Sequence, residues 1–164
     1  MFYREINENR KDAAAAVVNG KIFCCGGLGR DWDHLVSTEC YDPSSDVWTK
    51  ICNMPAALTR HRAVGMNGNL IVIEGNLNKM WILGTTNKNA EWTVKSNMSL
   101  PCNDFDREGI NYRILFCGGN SEADATDDVK IFDGKVWTTG PKLKTALCSA
   151  VVTPVPMDFV KCLK

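Results

Sequence analysis

The sequence has no charge surplus: Lys and Arg number 19 and Asp and Glu number 19, so the formal net charge is zero. That balance removes the electrostatic reason to expect nucleic acid or an anionic membrane surface as the main partner. Long apolar runs are also missing. The longest, such as Ile114-Leu115-Phe116-Cys117, are strand-sized and far below the roughly 18 residues needed to span a bilayer. The opening residues, Met1-Phe2-Tyr3-Arg4-Glu5-Ile6-Asn7-Glu8, turn polar too early for a signal peptide. These absences point to a cytoplasmic protein with neither membrane nor nucleic acid as partner. With 45% apolar and 23% charged residues, the composition is that of an ordinary globular protein.

Groups that usually carry chemistry are scarce. The 2 histidines, His34 and His61, stand far apart without the Cys or carboxylate spacing of a metal site. Both read as surface or turn residues. The 8 cysteines include no CxxC pair, and several sit inside apolar strand-like runs where cysteine acts as a small hydrophobe. Without a secretion signal, free thiols are a simpler account than disulfides. No Gly-x-Ser-x-Gly elbow or phosphate loop is present. Gly27-Leu28-Gly29 starts like a dinucleotide fingerprint, but Trp32 takes the place of the last glycine and no helix follows. Asp104, Asp106 and Glu108 alternate as one polar face, and Glu122, Asp124, Asp127 and Asp128 read as a solvated acidic loop. No catalytic residue, metal or cofactor is expected.

What the chain does have is an internal repeat. Val18-Asn19-Gly20-Lys21-Ile22-Phe23-Cys24-Cys25-Gly26-Gly27 aligns without gaps on Met66-Asn67-Gly68-Asn69-Leu70-Ile71-Val72-Ile73-Glu74-Gly75, and again on Ile110-Asn111-Tyr112-Arg113-Ile114-Leu115-Phe116-Cys117-Gly118-Gly119. Trp48, Trp92 and Trp137 keep the same beat, and Pro55, Pro101 and Pro141 close each unit. Asn-Gly between two apolar runs is a strong hairpin signal, because both residues tolerate the positive φ of a type I′ turn. Each unit therefore reads as four short strands. The first covers residues 13–18, 21–25, 38–41 and 47–52. The second covers 61–66, 70–73, 80–83 and 92–95, and the third 107–110, 114–117, 129–132 and 136–139. Ala13 to Ala16 favour helix by propensity, yet their place before Asn19-Gly20 argues for strand.

A four-stranded unit with a double glycine after strand two and a tryptophan in strand four resembles the kelch repeat. The first unit matches best, with Gly26-Gly27, Glu39-Cys40-Tyr41-Asp42-Pro43, Val47-Trp48 and Met54-Pro55. The third keeps Gly118-Gly119, Phe132-Asp133 and Trp137. The second is degenerate: Glu74-Gly75 replaces the double glycine, and Trp81-Ile82 stands in for Tyr41-Asp42. The resemblance implies an all-β fold, a partial kelch-type β-propeller of about three four-stranded antiparallel blades plus flanking strands. Residues 1–12 would hold the last strand of a preceding blade, 13–55 repeat one, 56–101 repeat two, 102–141 repeat three, and 142–164 the first strand of a further blade and a tail. Gly26, Gly27, Tyr41, Trp48, Gly75, Trp92, Gly118, Gly119 and Trp137 are then structural positions, with the tryptophans packing between blades.

In propellers a rigid frame presents loops for recognition. The loop of residues 28–36 carries Arg30, Trp32 and His34, and the next link adds Arg60 and Arg62. Trp with Arg is a pairing enriched at interface hot spots, although Trp32 could equally cover its own blade edge. Among kelch proteins the first unit looks most like the BTB-kelch family. That likeness implies a protein-interaction module, either selecting substrates for a cullin-RING ubiquitin ligase or binding actin. Kelch propellers also occur in sugar enzymes, including galactose oxidase and sialic-acid epimerases, which need a copper or sugar site whose ligands are missing here. The chain would otherwise be a fragment of a longer kelch protein, a non-functional truncated remnant, or a protein that completes its propeller by self-association.

Overall fold

The computed structural model describes residues 4–74, 79–87, 89–96, 106–110, 113–121 and 124–147. Every regular element in it is a β-strand; among the described residues there is no helix. The chain divides into one unit of Met1–Glu74 with Lys79–Ser96, and a second of Gly75–Asn78 with Asn97–Lys164.

The first unit holds two four-stranded antiparallel meanders. Strands β1 (Ala14–Val18), β2 (Lys21–Cys25), β3 (Thr38–Asp42) and β4 (Val47–Lys50) hydrogen-bond in sequence order. So do β5 (Arg62–Met66), β6 (Asn69–Glu74), β7 (Lys79–Gly84) and β8 (Thr93–Ser96). The hairpins turn where the Asn-Gly pairs predict. Asn19 and Gly20 have φ of 51° and 76°, and Asn67 and Gly68 have 51° and 72°, the left-handed pair that matches the twist of the flanking strands. The alanine run is strand, its helix propensity overridden by pairing with β2.

Alternation along the strands gives the first sheet an apolar face that packs on the second. Phe23 and Cys25 meet Leu70, Val72 and Trp81, while Met54 and Leu58 from the connecting link close the gap. Gly65 on β5 lies directly under the Val17 carbonyl, where a Cβ could not fit.

The second unit contains β9 (Asp106–Ile110), β10 (Arg113–Cys117), β13 (Val129–Phe132) and β14 (Trp137–Thr139), again an antiparallel meander. A small hairpin, β11 (Asn120–Ser121) with β12 (Asp124–Ala125), lies in the acidic segment that sequence patterning reads as plain loop. Asp127 and Asp128 in that segment are half-buried beside Lys142, whose Nζ lies 2.7 Å and 3.7 Å from their Oδ1 atoms.

Strand registers correct the internal alignment. Ile22 pairs with Tyr41, and its counterparts Leu70 and Ile114 pair with Leu83 and Phe132. Leu83, not Trp81, is thus the equivalent of Tyr41. Trp81 pairs with Val72, the counterpart of Cys24, which pairs with Glu39. Trp81 therefore replaces Glu39, and Lys130 fills the same place in the third sheet.

The N-terminal flanking strand needs a second correction. Of the strand expected over residues 2–6, the described part, residues 4–6, is irregular; across residues 4–12 the single ladder contact is a bridge from Lys11 to Leu28. That stretch is held by side chains instead of a β-ladder. Of the strand expected over residues 144–152, the described part ends at Leu147, which makes a bridge to Thr126; the remainder lies outside the described residues. Cys24, Cys40, Cys52 and Cys117 are free thiols.

Candidate interaction site

The double glycines are set by geometry. Gly26 and Gly27 have φ of 60° and 94°, a region L side chains rarely adopt. A Cβ on Gly26 would stand 2.6 Å from His61 Cε1 and 2.8 Å from the Leu58 carbonyl oxygen. Gly118 and Gly119 repeat the conformation at 68° and 112°. Gly75 lies outside the described residues.

His61 is not a surface residue. It is 2% exposed, with Nε2 3.0 Å from the Cys25 carbonyl oxygen and 3.7 Å from Cys25 Sγ. Room for the ring exists because position 26 has no side chain.

The repeat tryptophans are half-buried and anchor links more than they fill the core. Trp48 Nε1 donates to the Arg4 carbonyl oxygen at 3.1 Å, and Trp92 Nε1 to that of Cys52 at 3.5 Å. In each case the acceptor lies on the link that enters the tryptophan's own sheet. Trp48 packs against Tyr41 with ring centroids 5.1 Å apart, and Trp137 against Phe132 at 4.8 Å. The fully buried tryptophan is Trp81, at 2% exposure.

All five residues picked as partner-contacting lie at one end of the first unit. The loop of residues 28–36 is pinned from beneath by buried Leu35, whose N–H donates to the Gly27 carbonyl at 2.9 Å. Arg30, Trp32 and His34 project from it and are exposed. Trp32 is 68% exposed and sits at a φ of 64°. It does not cover the blade edge. Lys11 Nζ lies 2.6 Å from the centre of its ring, a cation–π contact. Arg60 on the neighbouring link and Arg62 at the start of β5 are exposed, joined to the same end by the Arg60 N–H, which donates to the Asp12 carbonyl at 3.1 Å. Asp12, Asp31 and Asp33 are exposed there too, so the surface carries both signs of charge around an exposed aromatic ring.

Sequence reasoning missed the link that organises this end. Glu39 is 0% exposed, and its carboxylate collects four donors. Asn7 N–H and Nδ2 donate to Oε2 at 3.1 Å and 2.6 Å, and Glu8 N–H and Arg10 Nη2 to Oε1 at 3.2 Å and 2.9 Å. Burial alone would raise the Glu39 carboxyl, but the Arg10 and Asn7 donors outweigh it and hold it below the usual carboxylate range. Period-two alternation places Glu39 on the face opposite Cys40; nothing in the pattern says that the opposite face is covered by residues 4–12.

Among the described residues, no group of three or more His, Cys, Asp or Glu is arranged to hold a metal ion. No helix among them is long and apolar enough to cross a membrane.

Comparison with known proteins agrees with this architecture. Residues 9–55 match the Kelch motif family. An F-box/kelch-repeat protein of Arabidopsis thaliana is 39% identical over 69 residues, covering 42% of this chain and 18% of that protein. The Kelch repeat and BTB domain-containing protein 8 of Homo sapiens is 37% identical over 59 residues, covering 34% of this chain and 10% of the relative. Beta-scruin of Limulus polyphemus is 28% identical over 177 residues, covering 92% of this chain and 19% of its own length. The chain thus spans less than a fifth of these relatives. Among solved structures, that of YjhT superposes with a TM-score of 0.64 at 14% identity, covering 83% of this chain and 53% of that one, a likeness of fold. Residues 9–55 thus carry a kelch motif, and the fold is that of a partial kelch-type β-propeller.

Proposed function

We propose that the chain is a non-catalytic protein-binding module that acts in the cytoplasm and recognises its partner with the end of the first unit formed by Lys11, Arg30, Trp32, His34, Arg60 and Arg62. The observation that carries this reading is Trp32, a large aromatic side chain left 68% exposed on a loop tethered at several points. An indole held this way is an anchor of the kind that dominates interface energetics, and tethering lowers the entropy lost on binding. The mixed charges around it suit selection by charge complementarity.

The partner we favour is a substrate delivered to a cullin-RING ubiquitin ligase. Support comes from relatives whose names join kelch repeats to an F-box or a BTB domain. Actin is the other partner that the family likeness implies. To test the reading, immobilised wild type and Trp32→Ala are compared for protein capture from cell extract, together with their thermal midpoints. The reading expects defined proteins lost by about ten-fold or more from the variant, the weight of a hot-spot residue, at an unchanged midpoint. Equal capture by both proteins would sink it.

A second reading, self-association, is favoured by Val17, which is 65% exposed on the face of the first sheet turned away from the second. Sedimentation of wild type beside Val17→Glu tests it, since a dimer held by that face would dissociate in the variant.

A further inference from the structure

The link of residues 4–12 is fastened to Glu39 at one end and builds the candidate binding surface at the other. Arg10 is the joint between them. Its side chain is 2% exposed; Nη2 meets Glu39 Oε1 at 2.9 Å and Glu8 Oε2 at 3.1 Å. Its Nη1 donates to the Gly26 carbonyl at 3.0 Å and the Ser37 carbonyl at 2.9 Å, and Nη2 also reaches Ser37 Oγ at 2.8 Å. Gly26 and Ser37 flank the two ends of the loop that carries Trp32, so one guanidinium grips both of its stems. The next residue, Lys11, exchanges backbone hydrogen bonds with Leu28 at 3.0 Å and 2.8 Å and holds its ammonium over Trp32. Asp12 then accepts from the Arg60 N–H.

We propose that Glu39 is a positioning residue for partner recognition: by fixing Asn7, Glu8 and Arg10 from inside the first sheet, it sets where Lys11, Trp32 and Arg60 stand. Glu39 itself never meets the partner. The inference rests on the proposed binding surface. The position is specialised, because register places Trp81 and Lys130 at the corresponding sites of the other two sheets. Only the first sheet puts a carboxylate there, and only the first sheet has Arg10 to bind it. A buried acid with four donors is a costly way to hold a link unless its geometry matters, since apolar packing, as at Trp81, avoids desolvating a charge.

The test is Glu39→Gln in the full chain, which keeps shape but turns an amide N–H₂ toward donors and leaves Arg10 with the Glu8 carboxylate alone. Two quantities are measured well below the thermal midpoint, where every molecule is folded: the rate of tryptic cleavage after Arg10 and Lys11, and capture of the proteins that wild type retains. Cleavage roughly ten-fold faster or more is expected, with capture reduced to a similar degree although Lys11, Trp32 and Arg60 are intact. Asn7→Ala, which removes the Nδ2 donor to Glu39 and the Trp48 carbonyl without stranding a charge, should move both readouts the same way by less, and it serves if the glutamine variant does not fold. Unchanged cleavage overturns the positioning role whatever happens to capture. Faster cleavage with undiminished capture also overturns it, while leaving the binding surface standing if Trp32→Ala still abolishes capture. Failure of Trp32→Ala to affect capture removes the surface on which the inference rests, and the inference falls with it.

Discussion

Truncating Trp81 to alanine is the sharpest test of how the first unit is held together. Trp81 is 2% exposed at the centre of β7 and lies in the apolar cluster shared with Phe23, Cys25, Leu70 and Val72. Removing an indole from such a site costs about 3–5 kcal/mol, lost transfer energy plus the cavity left behind. At roughly 2–4 °C per kcal/mol for a chain of this size, the thermal midpoint should fall on the order of 10 °C. Trp48→Ala is the control. The repeat pattern alone would rank Trp48 as the structural tryptophan, but it is half-buried and hydrogen-bonded to a link. Its loss should cost about 1–2 kcal/mol, nearer to a capping contact than to a core side chain. Thermal unfolding followed by far-ultraviolet circular dichroism ranks the two. An equal or larger loss for Trp48→Ala would refute the assignment of the core to the Trp81 face.

Two further outcomes follow from local geometry. Gly26→Ala combines a strained φ with overlap on His61 and the Leu58 carbonyl, so the urea midpoint should drop by the equivalent of about 1–3 kcal/mol. The Glu39 carboxyl is held below its ordinary range in the folded chain, so its stabilising contribution is present above the unfolded pKa and is lost as pH falls through the folded one. Midpoints measured from pH 7 downward should decline more steeply for wild type than for Glu39→Gln. Asp42, also depressed by its Lys21 and Ser44 partners, titrates in both proteins and cancels in the comparison.

Much of this was legible in the sequence because turns and strand alternation are local properties. Asn19-Gly20 and Asn67-Gly68 specify their own hairpins, and the apolar runs on either side need no distant partner to be read as strands. The exposure of Arg30, Trp32 and His34 was open to anticipation for the same reason: a polar, aromatic-bearing stretch between two strands is visible without a fold. What stayed hidden depends on which segment covers which face. Trp48 and Trp81 differ in burial because the second sheet packs on the first through Trp81's face. His61 is buried because Gly26, just past the end of β2, makes room for it. Glu39 and Arg10 lie 29 positions apart, and nothing in either neighbourhood announces the other. The offset of Trp81 from Tyr41 is similarly invisible to gapless alignment, since it appears only in the strand pairing.

Hydrogen–deuterium exchange of the full chain with and without a captured partner tests the central claim most directly. Binding at the proposed end should slow exchange at residues 10–12, 28–36 and 58–62 and leave the amides of β2, β3, β6 and β7 unchanged. Protection centred on β1 and β4, with the loop of residues 28–36 unaffected, would contradict the account.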